Sequence, residues 1–327
     1  MTIPGWATEE GTALFQAKAA LPSCAVHEVH SLRLSALGMG TYMGNMDHIT
    51  DRQQEDALVH LLRLGCNVID CAPNYRNGRS ELSVGRALKR AIGQGIAERE
   101  AVFVATKVGL VPENRALPAP FTAGPEHSCY APPWLRRSLR ASLRRLNLET
   151  ADCVFVHNLE LLRLTDTARF EQNFIAVAEC MEDMVRDGMT RAWGISSWNG
   201  FRVPENHPEY LSLDRLRARS WPHLRYLQLP LGLWGSEAVT GTWQGGESIL
   251  DHARDLAVFA SSPLLQGELA AALGNSSDSI EKAVLFVRDT ANVAVTLLGI
   301  KQKAHVEAWN RMQHVSYDTL MTLYEFF

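Results

Sequence analysis

The sequence lacks the features that would identify a metal hydrolase, a membrane protein or a disulfide-bonded secreted protein. It contains no HxH or HExxH spacing, which argues against a metal centre. Its six cysteines include no CxxC pair, so we expect reduced thiols in a cytoplasmic protein. No run of about eighteen apolar residues is present, and we therefore expect no membrane span.

An excess of charge of one sign is also lacking. The net charge of -4 gives no general electrostatic reason to bind nucleic acid or an anionic membrane surface. Residues 1–21 show no basic start followed by an apolar core, so we expect no signal peptide. Apolar residues make up 46% of the 327 residues, which is typical of a globular protein with a sizeable core. Nothing in the sequence indicates an oligomeric state.

What is present is an alternation of short apolar runs with longer amphipathic segments. Most of the short runs are continuous, which is typical of strands buried on both faces. Eight such alternations in a chain of this length predict an α/β fold with a single domain, the parallel (β/α)8 TIM barrel. The predicted strands are 34–38, 68–70, 102–107, 153–157, 191–195, 225–229, 257–260 and 293–298. The predicted helices are 52–64, 80–92, 133–146, 174–186, 247–256, 279–290 and 304–312.

Two segments stand apart from this alternation. Residues 1–30 precede the first predicted strand, and we expect them to form an N-terminal arm or a cap over the barrel. We expect residues 31–327 to form the barrel itself. The stretch 110–132, rich in proline, follows the third predicted strand. Irregular loops of this length inside a compact domain are usually functional, so we expect a lid or a binding loop. A disordered insertion is the alternative.

Polar side chains stand at or just past the ends of the predicted strands. Asp70 ends the second strand, Tyr75 follows five residues later, Lys107 ends the third strand and His157 the fourth. Alone, each has an ordinary explanation as a helix cap, a packing residue or a solvated charge. The carboxyl rim of a parallel barrel, however, is where enzymes place catalytic groups. If the strands are neighbours, these side chains can form one proton-transfer cluster with the phenol as an acid.

A series of short segments, in order along roughly residues 32–310, resembles the aldo-keto reductases. The resemblance implies a TIM barrel and an NAD(P)H-dependent carbonyl reductase that acts on an aldehyde or ketone, a small-molecule substrate. The matching segments are Gly38-Met39-Gly40-Thr41, Asp70-Cys71-Ala72-Pro73-Asn74-Tyr75, Gly78-Arg79-Ser80-Glu81, Ala105-Thr106-Lys107, Val156-His157, Gly194-Ile195-Ser196-Ser197, Gln228-Leu229-Pro230, Ser261-Ser262-Pro263-Leu264-Leu265-Gln266-Gly267 and Gly299-Ile300-Lys301.

The resemblance also implies roles for the four strand-end residues. Tyr75 is expected to donate a proton to the carbonyl oxygen while a nicotinamide delivers hydride to the carbon. Because a phenol has a pKa of about 10, we expect the Lys107 ammonium to favour the phenolate and Asp70 to keep that ammonium charged. His157 is expected to orient the carbonyl and to hydrogen-bond the developing oxyanion.

The cofactor site depends on the resemblance alone, because no GxGxxG motif follows a strand. Ser196 and Gln228 match positions that hold the nicotinamide carboxamide, whereas Ser197 and Ser261 replace residues that are more often asparagine and aromatic. The loop after Ser261 resembles the turn that wraps the pyrophosphate. The implied cofactor residues are Gly40, Thr41, Ser196, Ser197, Gln228, Ser261, Leu264, Gly267, Lys301, Gln302 and His305.

A basic helix start after the last predicted strand favours NADPH over NADH. Lys301, Lys303 and a protonated His305 would stand where free backbone amides converge, which suits a 2′-phosphate. A solvated helix start is the alternative. Trp309 occupies a position where the family usually has a side chain that grips the adenine, and it either stacks on the base or lies in the core.

The substrate is weakly encoded, and the direction of the reaction is not encoded at all. The candidate contacts are aromatic, namely Tyr42, Trp198, Tyr130 and the 324–327 tail, which suggests a fairly large or hydrophobic carbonyl. The leading interpretation is a carbonyl reductase, for example in a specialised biosynthetic pathway. The alternatives are an NAD(P)-dependent dehydrogenase that oxidises a sugar hydroxyl or lactol, and a regulatory nicotinamide-binding barrel with little turnover.

Overall fold

The structure is a computed structural model that describes residues 2–113, 115–118 and 124–316. Strands β1 and β2 form an antiparallel hairpin, and the other strands close into a parallel barrel in which β10 pairs with β3. This confirms the predicted single-domain (β/α)8 barrel. The strands are β1 (Val26–Val29), β2 (Leu32–Ser35), β3 (Leu37–Gly40), β4 (Val68–Asp70), β5 (Phe103–Val108), β6 (Ala151–Val156), β7 (Thr190–Ser196), β8 (Leu224–Pro230), β9 (Ala257–Ser261) and β10 (Val293–Gly299).

Helices of very different lengths surround the barrel. In the described part of the chain, none is both long and apolar enough to cross a membrane. The helices are α1 (Glu9–Ala19), α2 (His48–Arg63), α3 (Arg79–Gly93), α4 (Pro132–Leu146), α5 (Glu160–Thr165), α6 (Phe170–Arg186), α7 (Leu213–Leu216), α8 (Glu237–Thr240), α9 (Ile249–His252), α10 (Glu268–Ala272), α11 (Ser277–Arg288) and α12 (Lys303–Gln313).

The barrel interior is filled by aromatic side chains. Phe103, Phe155, Tyr226 and Phe259 pack against one another with ring centroids 5.4–6.4 Å apart. Phe103 opens β5 and Phe155 lies near the end of β6, so the rings fill the interior and the barrel is a packed core and not a pore. A second apolar layer lies between the outer faces of the strands and the helices. Together the layers hold the strand ends rigidly at the opposite, carboxyl rim.

The β1–β2 hairpin covers the amino-terminal end of the barrel. Val29 and Leu34 belong to the same buried cluster as Phe103. The Ser35 amide donates to Asn67 Oδ1 at 2.9 Å, which ties the hairpin to the residue just before β4. The boundary expected at residue 30 therefore falls in the middle of this hairpin.

The helices predicted at 52–64 and 174–186 begin four residues earlier, at His48 and Phe170, and two other predicted elements differ more. Residues 34 and 35 of the predicted first strand belong to β2, and the barrel strand β3 begins only at Leu37. Almost every residue from 34 to 39 is fully buried, so periodicity offered no break between two strands. The predicted helix 247–256 is helical only over α9, although its apolar residues are buried.

Candidate active site

A cavity of about 740 Å³ opens at the carboxyl end of the barrel, a size typical of small-molecule sites. Most of the predicted site residues line it. Those that do are Gly40, Thr41, Tyr42, Asp70, Tyr75, His157, Ser196, Ser197, Trp198, Gln228, Ser261, Leu264, Gly267, Lys301 and His305. Three predicted site residues, Lys107, Tyr130 and Gln302, are not among its lining residues.

Lys107 lies behind the cavity wall in a fully buried ion pair with Asp70. Its Nζ donates to Asp70 Oδ1 and Oδ2 at 2.5 and 2.6 Å and to the Cys71 carbonyl at 3.2 Å. Asp70 is the last residue of β4, and Lys107 lies near the end of the neighbouring strand β5, so the two side chains meet at the rim. Burial by itself lowers the pKa of Lys107, but the Asp70 carboxylate and the Tyr75 phenol outweigh it and raise that pKa above its ordinary value. Lys107 is therefore an ammonium.

Tyr75 lies between this ammonium and His157. Lys107 Nζ is 4.8 Å from the centroid of the Tyr75 ring, and the imidazole of His157 meets the ring edge-on at 5.9 Å. Burial raises the pKa of Tyr75 to about 12, against the opposing influence of Lys107. Lys107 therefore favours the phenolate, as expected, but burial outweighs this influence. Tyr75 is a protonated phenol in this environment.

His157 follows β6 directly and is neutral. Burial, followed by the Lys107 charge, holds the pKa of His157 well below its ordinary value. Its Nδ1 is buried and has no hydrogen-bond partner among the described residues. A neutral imidazole has one nitrogen that donates and one that accepts, so His157 can offer a hydrogen bond to a ligand in the cavity.

Hydrogen bonds connect the Asp70–Lys107 ion pair to Gln228 and Ser196, the two residues expected at the nicotinamide. Gln228 Nε2 donates to Asp70 Oδ1 at 2.8 Å, and Ser196 Oγ donates to Gln228 Oε1 at 3.3 Å. Ser196 ends β7 and Gln228 lies near the end of β8, on the far side of the barrel from β4. An amide and a hydroxyl that share one cavity wall fit a carboxamide, which needs both a donor and an acceptor. The link through Asp70 was not predicted.

The turn after Tyr75 is held by a buried arginine that the sequence analysis missed. Arg76, with a φ of 50°, donates to Asp51 Oδ1 at 2.5 Å and to Gln54 Oε1 at 2.8 Å. Gln54 in turn donates to the Thr41 carbonyl at 3.2 Å. This network connects the turns after β3 and β4 and fixes the direction of Tyr75. The sequence feature that could have indicated this network is the arginine directly after the proposed proton donor.

The phosphate end of the predicted site is less basic than expected. Lys301 and His305 line the cavity, but Lys303 points outward and pairs with Glu307 at 3.5 Å. Burial and the Lys301 charge lower the pKa of His305, so the expected protonated His305 is wrong. Gln302 is exposed at the start of α12 and does not line the cavity. Among the described residues that line the cavity, Lys301 is the only lysine or arginine.

Trp309 belongs to the core. It is fully buried, and its Nε1 donates to the Leu37 carbonyl at 3.1 Å. This geometry excludes stacking on an adenine. Ala308 and Met312 line the cavity on the same helix, so the wall that α12 contributes is apolar there.

At the substrate end, Tyr42 and Trp198 line the cavity, whereas Tyr130 does not. The Tyr130 hydroxyl lies 2.7 Å from the carbonyl oxygens of both His157 and Asn158 and donates its single proton to this pair. Tyr130 therefore supports the backbone beneath His157, and its expected role as a substrate contact is wrong. The 324–327 tail lies outside the described residues.

Three glutamates at the cavity, Glu126, Glu160 and Glu209, were also missed. Glu160 Oε1 accepts from the backbone amides of Trp198 and Asn199 at 2.6 and 3.0 Å. No spacing in the sequence distinguishes these residues from ordinary surface acids. Among the described ranges, no group of three or more His, Cys, Asp or Glu side chains could hold a metal ion.

Comparisons with known proteins point to one family. The model of the aldo/keto reductase family matches residues 36–218. The NADH-specific methylglyoxal reductase of Escherichia coli (strain K12) is 28% identical over 196 residues, 58% of this chain. The match spans 56% of that relative, little more than half its length.

Solved structures of about the same size share the fold. An aldo/keto reductase from Klebsiella pneumoniae in complex with NADP and acetate has a TM-score of 0.63 at 22% identity, over 92% of this chain and 94% of that one. The glycerol dehydrogenase of Gluconobacter oxydans has a TM-score of 0.65 at 21% identity, with the same coverage. At such identities the likeness is one of fold alone.

Proposed function

The chain belongs to the aldo/keto reductase family, and on that basis we propose that it reduces the carbonyl group of a small molecule at the expense of a nicotinamide cofactor. One observation carries the proposal. Asp70, Tyr75, Lys107 and His157 converge from three adjoining strands beside one cavity of suitable size. A phenol, an ammonium and a neutral imidazole together provide a proton donor, its charge partner and an oxyanion partner.

The protein's side chains have distinct roles in this proposal. Neutral His157 donates a hydrogen bond to the carbonyl oxygen and orients it, and Tyr75 gives its phenolic proton to that oxygen. The Lys107 ammonium stabilises the phenolate that remains, and Asp70 holds the ammonium in place. Ser196 and Gln228 would hold the carboxamide of a bound nicotinamide, which supplies the hydride.

We further propose that the cofactor is NADPH, with Lys301 at the 2′-phosphate. Lys301 is the one cation among the cavity-lining residues in the described ranges once His157 and His305 are neutral. The Klebsiella pneumoniae structure contains NADP, whereas the Escherichia coli relative is named as NADH-specific. We also propose a cytoplasmic location, consistent with six free thiols.

The first test combines cofactor binding with turnover. Purified protein is titrated with NADPH and NADH by fluorescence, and a panel of aldehydes and ketones is followed by nicotinamide absorbance. Tyr75→Phe removes the proton donor but little volume, so we expect kcat for reduction to fall by about two to four orders of magnitude. The cofactor Kd of that variant should stay within about twofold of the wild-type value.

Two results would refute the proposal. If neither cofactor binds, the reductase assignment fails. If Tyr75→Phe turns over at the wild-type rate, the proton comes from another group.

A further inference from the structure

Arg76 is a buried side chain to which the proposed reduction gives no chemical role. It directly follows the proton donor Tyr75 and is 5% exposed. Its φ of 50° and the φ of 54° at Asn77 describe a left-handed backbone, which an arginine adopts only rarely. Such a backbone persists where the surrounding contacts determine it. The contacts of the Arg76 side chain therefore bear on where Tyr75 lies.

The guanidinium of Arg76 binds one segment of the chain, from the end of the turn after β3 to the second turn of α2. Its Nε donates to the Asn45 carbonyl at 2.8 Å, and Nη2 donates to the Asp47 carbonyl at 3.3 Å. The bonds to Asp51 and Gln54 complete the set. A planar group with donors in a fixed fork suits acceptors that are spread in this way. Arg76 therefore ties the turn that carries Tyr75 to this segment.

Gln54 extends this connection to the first part of the turn after β3, residues 41–47. Its Nε2 donates to the carbonyls of Thr41 and Met43, both at 3.2 Å. Because Gln54 Oε1 accepts from Arg76, the arginine also determines which way the Gln54 amide faces. The 41–47 loop is thus held by Arg76 directly and through Gln54.

The 41–47 loop carries Tyr42, which lies against the proton donor. The rings of Tyr42 and Tyr75 meet edge-on with their centroids 5.1 Å apart, and both side chains line the cavity. Tyr42 is 48% exposed, and its neighbour Met43 is 36% exposed. Burial contributes little to the position of side chains that are so exposed, so the backbone of the loop sets it.

We propose that Arg76 is a positioning residue for the reduction: its guanidinium holds the 41–47 loop against the Tyr75 turn, so that Tyr42 and Tyr75 form one wall for the substrate carbonyl. This inference rests on the proposed reductase function and adds a residue that acts on the site without touching the reacting atoms. The rates of proton and hydride transfer depend steeply on the placement of those atoms. A looser loop should therefore slow the reaction even though the acid machinery is unchanged.

A purely stabilising role for Arg76 is the alternative, and Arg79 provides the comparison. Arg79 also binds Asp51, donating to Oδ2 at 2.6 Å, and its other bond goes to His48 and not to the 41–47 loop. Arg76→Gly and Arg79→Met each remove one cationic partner of Asp51 and leave the other in place. Only Arg76→Gly removes bonds to the loop, and glycine suits the left-handed backbone at this position.

The first measurement is steady-state reduction at saturating cofactor, well below the unfolding temperature of each variant. We expect Arg76→Gly to lower kcat/KM about 10- to 100-fold, and Arg79→Met to stay within about twofold of wild type. Millimolar guanidinium chloride, too dilute to unfold the protein, should raise kcat/KM of Arg76→Gly at least about fivefold by occupying the vacated site. Sodium chloride and methylammonium chloride should not, since neither cation has the planar fork. Wild-type kcat/KM in Arg76→Gly, or an equal loss in Arg79→Met, would overturn the inference.

Hydrogen–deuterium exchange tests the same inference without turnover. Peptides that cover residues 41–47 should exchange at least about threefold faster in Arg76→Gly than in wild type, slow again with guanidinium, and stay unchanged in Arg79→Met. If the wild-type protein reduces no carbonyl compound, the proposed function fails, and exchange still shows whether Arg76 holds the loop. If reduction proceeds but exchange at 41–47 is the same in wild type and Arg76→Gly, the inference fails and the function stands.

Discussion

Lys107 and Tyr75 share one buried environment, but their protonation is controlled by different influences. The charge of a neighbour decides the pKa of Lys107, whereas burial decides the pKa of Tyr75. Lys107 has a carboxylate at hydrogen-bond distance, so the ion pair more than compensates for its desolvation and keeps the ammonium charged. For Tyr75, burial raises the pKa most; the Lys107 ammonium lowers it and the Asp70 carboxylate raises it, so the two charges partly cancel. Desolvation therefore prevails at the phenol. The arrangement keeps the Tyr75 phenol protonated, as the proposed reduction requires.

This difference can be measured directly by titration. With a pKa of about 12, Tyr75 should remain a phenol across the neutral and mildly alkaline range. We expect the alkaline difference spectra of wild-type protein and Tyr75→Phe, both without cofactor, to coincide up to about pH 11. Tyr75→Phe provides the baseline for the wild type, because the other tyrosines are common to both proteins. An additional phenolate in the wild type between about pH 7 and 10 would contradict the expectation.

Residues that end strands could be predicted from the sequence, whereas Glu160 could not. Asp70 and His157 close continuous apolar runs, and the barrel topology places the ends of such runs at one rim. Glu160 opens the short helix α5, where an acid is common because it favours the helix N-terminus. Its place at the cavity depends on the path of the 197–199 loop, which no local pattern encodes.

At the scale of elements, the prediction and the structure differ in the bounds of strands and in the side chains at the start of a helix. Helices α3, α4 and α12 begin and end within one or two residues of their predicted bounds, because each has a clear amphipathic pattern. The boundary between β2 and β3 was missed because the residues on both sides of it are buried. The basic start of α12 was overestimated, since the sequence does not show which of its side chains turn toward solvent.

The two lysines at the start of α12 make a matched pair for the cofactor preference. Lys301 lines the cavity, whereas Lys303 points outward and pairs with Glu307. We expect Lys301→Ala to raise the Kd for NADPH about tenfold, equivalent to about 1.4 kcal/mol, and to change the Kd for NADH by less than about twofold. Lys303→Ala should leave both constants near the wild-type values. Fluorescence titration measures all four.

The phosphate assignment is wrong if Lys301→Ala weakens NADPH and NADH equally. It is also wrong if Lys303→Ala reduces NADPH affinity as strongly as Lys301→Ala does. Either result would mean that general charge at this rim, and not a contact with the 2′-phosphate, governs binding.

At the scale of the whole molecule, the two ends of the barrel serve different purposes. The carboxyl rim holds the cavity and every residue assigned to chemistry. The amino end is closed by the hairpin, whose buried side chains complete the aromatic core. The barrel could be predicted because its alternation repeats along the chain. The hairpin could not, because residues 26–35 are organised by contacts with strands that follow later in the sequence.

This division predicts that stability and activity can be separated. Leu34 is fully buried in the hairpin beneath the barrel, so Leu34→Ala should lower the free energy of unfolding by about 2–5 kcal/mol. Its distance from the rim should leave kcat/KM and the cofactor Kd within about twofold of wild type at 25 °C. Leu14→Ala, on the exposed face of α1 where Leu14 is 65% exposed, is the control and should change neither property. Urea denaturation and steady-state kinetics provide the two measurements. A stable Leu34→Ala would show that the hairpin is not part of the core, and a tenfold loss of kcat/KM in a folded variant would show that the two ends are coupled.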